Sequence, residues 1–146
     1  VTEAQQLVSA LLEAEDPKHF FRNRADLVPG LIPGEKEVEY QLIREPEYEG
    51  PEGHFGNEED VQWVRDQLER GNEWAWFSAD VVATWYDPVT EQEIEGHDYL
   101  GGCSYRSRAD FMSEEPGSYW PDMKSEAYKS LVRNIESERR RAKARD

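Results

Sequence analysis

His97, Asp98, Cys103 and Ser104 stand within eight residues of one another, and a thiol near an imidazole and a carboxylate is raw material for nucleophilic catalysis. The spacing works against assembly. On an extended strand His97 and Cys103 face the same side but lie about 20 Å apart, six steps of ~3.3 Å. Only a bulge at the intervening Gly101-Gly102 pair, or a partner strand, would bring them together. No phosphate loop, nucleophile elbow or zinc spacing accompanies them, and a lone cysteine is more often a small buried hydrophobe than a nucleophile. The three histidines, His19, His54 and His97, share no HxH or HxxxH spacing, and no calcium-loop pattern is present. The sequence therefore predicts no metal and no cofactor. A small enzyme or ligand-binding site near His97, Asp98 and Cys103 is the secondary reading.

The carboxylates carry the primary one. Three runs place glutamate at every second residue: Glu35, Glu37 and Glu39; Glu45, Glu47 and Glu49; Glu91, Glu93 and Glu95. In extended chain such residues share a face at intervals of about 6.6–6.8 Å, a spacing that would imitate a phosphate backbone. Against this stands a plainer origin, since Val38, Tyr40 and Ile94 fill alternate positions as they would in strands with one wet face.

The balance of charge points the same way. The chain has 146 residues with 32 acids and 17 bases, a net charge of −15. Residues 129–146 hold seven of the bases and three of the acids, so residues 1–128 carry 29 acids against ten bases. That body repels nucleic acid and anionic lipid and attracts basic proteins. The basic end, with Arg139, Arg140, Arg141, Lys143 and Arg145, is expected to neutralise acids of this chain or of a partner instead of binding nucleic acid directly. No apolar run approaches the length of a membrane span. The N-terminus lacks the basic start and apolar centre of a signal peptide, and the single cysteine excludes an internal disulfide framework. A cytoplasmic protein is expected.

The elements that must position these residues centre on 71–105. Between Glu73 and Tyr86 the odd positions Ala75, Phe77, Ala79, Val81, Ala83 and Trp85 are all apolar, predicting one long strand over 73–86 with Phe77, Val81 and Trp85 buried. On its other face Trp74, Trp76 and Tyr86 are expected to be half-exposed and available as partner anchors. Asp87-Pro88-Val89-Thr90 reads as a turn, and 94–105 as the return strand of an antiparallel hairpin. Ahead of it, alternation over 35–43 predicts a strand. Asn57 with Asp60 approximates a capping box for a helix bearing Val61, Val64 and Leu68, which Gly71 ends. Ser107 with Asp110 begins a short helix, and Pro121 opens a long one with Met123, Ala127, Leu131 and Ile135 on its buried stripe. Leu7, Val8, Leu11 and Leu12 lie on one face of an N-terminal helix, and Asp16-Pro17 starts another. The expected architecture is a single α+β domain: a helical arm over 1–30, a main body over 35–135 with a small antiparallel sheet packed by helices, and a solvated basic tail over 136–146.

Three strings, GNEWAW (71–76), DYLGGCSY (98–105) and SYWPDM (118–123), resemble a family of small uncharacterised proteins from bacteriophages, plasmids and other mobile elements. The similarity covers about residues 58–132; where the family usually has a small residue or cysteine after WAW, this chain has Phe77. The resemblance carries over no functional residues. It implies a context, an accessory protein acting in a bacterial host cytoplasm. With the acidity, it makes a protein partner with a basic, nucleic-acid-handling surface the leading expectation. Glu35, Glu37, Glu39, Glu45, Glu47, Glu49, Glu91, Glu93, Glu95, Trp74, Trp76 and Tyr86 are the candidate contact residues for a non-enzymatic inhibitor of that machinery.

Overall fold

A computed structural model describes residues 32–145 together with Gln5. The expected helical arm over 1–30 therefore lies outside the described residues. The fold is α+β. A three-stranded antiparallel sheet in the order β1-β2-β3 is built from β1 (Glu39–Pro46), β2 (Phe77–Asp87) and β3 (Gln92–Cys103). The helices are α1 (Glu58–Glu69), the single turn α2 (Arg108–Phe111) and the long α3 (Tyr119–Arg145). Among the described residues no helix is long and apolar enough to cross a membrane.

The caps explain where the helices start and stop. Asn57 Oδ1 accepts from the Asp60 backbone N–H at 2.9 Å, which satisfies one of the free donors at the start of α1. At its end Gly71 adopts φ +87, the left-handed conformation that costs a residue with a Cβ. Ser107 Oγ accepts from the Asp110 N–H at 3.2 Å and so caps α2, while Asp110 Oδ2 accepts from the N–H of Arg106, one residue ahead of the cap, at 3.0 Å. The expected capping box is thus half made, the shorter aspartate returning its bond one residue further back than the cap.

The hairpin differs from its expected form at one end. Residues 73–86 are not a single strand: Glu73–Ala75 form a 3-10 turn, and β2 begins at Phe77. Asn72 causes this, because its Oδ1 accepts from the Trp74 N–H at 3.2 Å and curls the chain before it can extend. The odd-position periodicity nonetheless marks the core, since Phe77 and Val81 are fully buried and Trp85 is nearly so. Ser78 and Val82 are buried as well, as befits the middle strand of three.

Two compact units are distinguished, and the hairpin and α3 contribute to both. One comprises residues 40–82 and 97–127. Its centre is an aromatic cluster in which Phe111 meets Phe77 at 5.4 Å and Tyr105 at 4.9 Å, both edge to face, with Trp74 and Trp120 around them. Burial pushes the Tyr105 hydroxyl up to about 12.

The other unit is described over residues 32–39, 83–96 and 128–145. Leu131 and Ile135 of α3 are fully buried there, as their four-residue spacing predicts, as is Ala83, with Ile94 and Val38 nearly so. The fully buried Asp87 accepts from the Val89 N–H, from Thr90 Oγ1, and twice from Arg139, at 3.1 and 2.7 Å. Residues 136–145, expected as a fraying tail, instead continue α3 to Arg145. That ion pair supports the extension: the buried carboxylate needs a partner, and the helix beyond Ile135 carries Arg139 to it.

Candidate functional site

The strings that stand out in the sequence converge in the first unit. Asn72 Nδ2 donates to the Arg106 carbonyl at 3.2 Å, the Tyr105 N–H donates to the Trp74 carbonyl at 2.8 Å, and the Trp76 ring lies against Gly102. GNEWAW and DYLGGCSY are thus pressed together along one end of the sheet.

At that end β1 runs out at Pro46, and Glu47 turns inward. Its Oε2 accepts from the Gly102 N–H at 2.7 Å and from Ser78 Oγ at 2.9 Å. One carboxylate from the β1 terminus thereby bonds to β2 and to β3, strands that follow it in the sheet order. The Gly102 hydrogen bond holds the Glu47 carboxyl below its ordinary range, with Ser78 adding to the effect and burial opposing it. The glycine pair is required by this arrangement. Gly102 sits at φ +64, and a Cβ there would meet the Trp76 ring at 3.3 Å; a Cβ on Gly101 would stand 3.1 Å from Glu47 Oε2.

Around this anchor lies an open groove of about 390 Å³, lined by Glu47, Glu49, His54, Phe55, Trp76, Tyr99 and the two glycines. Trp76 forms its floor, buried, with Nε1 donating to the Glu49 carbonyl at 2.7 Å. His54 meets Trp76 edge to face at 5.3 Å, and Phe55 lies tilted at 5.8 Å. His54 Nε2 is 3.5 Å from a Glu49 carboxylate oxygen, beyond ordinary hydrogen-bond length. Tyr99 is 63% exposed, and Tyr48, between the two glutamates in the chain, is 94% exposed. Sequence reasoning missed His54, Phe55 and Tyr99. The signal for them was Gly102: a glycine inside a strand marks a close approach by something, here the Trp76 ring with His54 behind it.

The glutamate runs do not hold their even spacing. Glu35 and Glu37 lie in a 3-10 turn, Glu35–Glu37, and only Glu39 is in β1. Glu37 Oε2 accepts from the Gly34 N–H at 2.7 Å, as Glu47 does from Gly102, so in both runs the middle carboxylate is claimed by a backbone donor. Such donors outcompete extension because each offers a charge-assisted bond to a group otherwise unpaired. Glu91 sits in the hairpin turn at φ +58, so of the three runs Glu93 and Glu95 alone keep the two-residue interval within a strand. Glu35, Glu39, Glu45, Glu49, Glu91, Glu93 and Glu95 remain exposed.

Of the three aromatic anchors, Trp74 and Tyr86 are half-exposed as expected, whereas Trp76 is buried. The Arg44 guanidinium lies 5.1 Å from the Trp74 ring centre while its Nη2 donates to Glu73 at 2.6 Å. Lys124 repeats the arrangement, with its ammonium 5.1 Å from the Trp120 ring and bonded to Glu114 at 2.6 Å.

The secondary candidates are held apart. His97 Nδ1 lies 3.0 Å from an oxygen of Asp80 on β2, whereas the buried Cys103 thiol donates to the Leu100 carbonyl at 3.4 Å. Burial pushes that thiol up to about 11, so it stays protonated at neutral pH. Burial, then Glu126 and Asp80, raise the Asp98 carboxyl. Among the described residues no group of three or more histidine, cysteine or acidic side chains is placed to hold a metal ion.

No family model, curated protein or solved structure matches the chain.

Proposed function

We propose that this chain is an acidic binding module whose partner is a protein with a basic, nucleic-acid-handling surface. Attraction of the partner comes from the summed field of its carboxylates. Imitation of phosphate spacing is not required, and with Glu37 and Glu47 drawn onto backbone donors the regular interval that would provide it is lost. The observation that carries the reading is the exposure of Glu39, Glu45, Glu49, Glu93 and Glu95 on a chain of net charge −15. The likeness of GNEWAW and DYLGGCSY to proteins of bacteriophages and mobile elements supports a bacterial cytoplasmic setting and an inhibitory accessory role. A second reading rests on His97 and Asp80, whose 3.0 Å contact is the base-and-orienter half of a catalytic triad; Cys103, buried and protonated, does not supply the nucleophile.

The test is capture from bacterial lysate at about 50 mM and about 500 mM salt, chosen because screening shortens the reach of charge severalfold between them. A Glu39→Gln/Glu45→Gln/Glu93→Gln/Glu95→Gln variant is run beside the wild type. Basic proteins retained only at low salt, and lost by the variant, support the proposal. Retention that ignores both salt and neutralisation, or no retention at all, refutes it.

A further inference from the structure

Within the first unit a tryptophan and a glutamate twice hold a cation between them, and both cations come from this chain: Arg44 at Trp74 and Glu73, Lys124 at Trp120 and Glu114. The groove repeats the same parts a third time. Trp76 is its floor, Phe55 and Tyr99 add ring faces, and Glu47 and Glu49 supply carboxylates, yet among the described residues no arginine or lysine lines it. Among the described residues His54 is the one basic side chain that lines it. It stands 3.5 Å from Glu49, and about 390 Å³ stays open beside it.

We propose that this groove is the seat of one cationic side chain, an arginine or lysine supplied by the basic protein partner. The proposal rests on the partner reading above and locates the contact. Charge complementarity selects the occupant: a neutral apolar group would leave the Glu49 carboxylate facing it, whereas a guanidinium or ammonium satisfies a carboxylate and lies over a ring at once. Glu49, whose carboxylate stands 3.5 Å from His54, is the one to engage, because Glu47 Oε2 already accepts from Gly102 and Ser78. Tyr99 is the ring with the most open face. Exposed Tyr48 and Tyr99 are residue types that anchor protein contacts around such a central pair.

N-acetyl-arginine amide, N-acetyl-lysine amide and N-acetyl-citrulline amide provide the test, citrulline being the neutral isostere of arginine. Each is titrated into the 15N-labelled full chain, and the Trp76 indole and Gly102 backbone N–H resonances are followed. The two cations should shift both resonances with millimolar affinity, and citrulline should not. Glu49→Gln should weaken the arginine amide about two- to fivefold, the range of one exposed ion pair. Adding Tyr99→Ala should bring the loss to about tenfold. Both side chains are exposed, so the variants keep the fold, and unchanged shifts elsewhere in the spectrum verify this. Equal response to citrulline and arginine, or cation binding that survives the double variant, would overturn the groove assignment. If the amides bind there while no basic protein is captured from lysate, the groove stands and the partner reading falls. If basic proteins are captured equally by the wild type and the double variant and the amides leave the groove silent, this inference falls alone.

Discussion

A carboxylate that accepts a 2.7 Å bond from a backbone N–H is stabilised in its ionised form, and Glu47 is that case. Its folded-state pKa lies below the unfolded value, so it contributes stability above the ordinary glutamate value of about 4.3 and loses that contribution as pH falls through the folded-state value. Glu47→Gln should therefore be less stable than the wild type at pH 7 by about 1 kcal/mol, with the gap closing in acid. Urea unfolding between pH 7 and pH 3 measures it, and a gap that is constant with pH would disprove the assignment. Gly102→Ala tests the other partner: the left-handed conformation alone costs about 1–2 kcal/mol with a Cβ, and the crowding against Trp76 adds to it. That Gly101-Gly102 mark a kink was legible in the sequence. What fills the kink was not, because Glu47 is 55 residues away from Gly102 and no periodicity links a loop carboxylate to a distant backbone donor.

For the elements, propensity and caps took the reading far. Helix α1 begins at its Asn57 cap and ends before Gly71, and the stripe on α3 is buried at Met123, Ala127, Leu131 and Ile135 as its spacing demands. Reading failed where a single polar contact overrides the pattern. After Ile135 no large apolar residue continues the stripe, so hydrophobicity alone ends the helix there, while Arg139 and the fully buried Asp87 carry it on to Arg145. Removing one member of a buried pair leaves the other charge uncompensated, at a cost of about 3–5 kcal/mol. Arg139→Met should thus be strongly destabilising, and ending the chain after Ile135 should cost at least as much. A solvated tail would make both changes silent in thermal or urea unfolding. Arg141→Met, which removes only an exposed pair with Glu138, is the control and should cost well under 1 kcal/mol.

At the scale of the whole molecule the dominant quantity is charge, and charge acts through its sum before it acts through any contact. A net −15 chain meeting a basic partner should associate fast at low ionic strength, with rates falling steeply as the Debye length contracts to about 8 Å at physiological salt. Summed steering and a phosphate-like row make different demands on the three glutamate runs. If steering governs, neutralising Glu93 and Glu95 should slow association by about as much as neutralising Glu39 and Glu45, because each pair removes two exposed charges from the same total. Dissociation should hardly change in either variant, since rim charges act on encounter. A phosphate-like row would behave otherwise, with Glu93 and Glu95, which keep the two-residue interval within a strand where Glu39 and Glu45 stand six residues apart, dominating and acting on dissociation as well. Glu49 should be the exception under both accounts: as a groove residue its replacement by Gln should speed dissociation, an effect that persists when salt has screened the rest. Stopped-flow association and dissociation rates against the captured partner, at several salt concentrations, separate these outcomes. Equal dissociation rates for wild type and Glu49→Gln would show that the groove is unused by the partner and leave the diffuse field as the whole of the interaction.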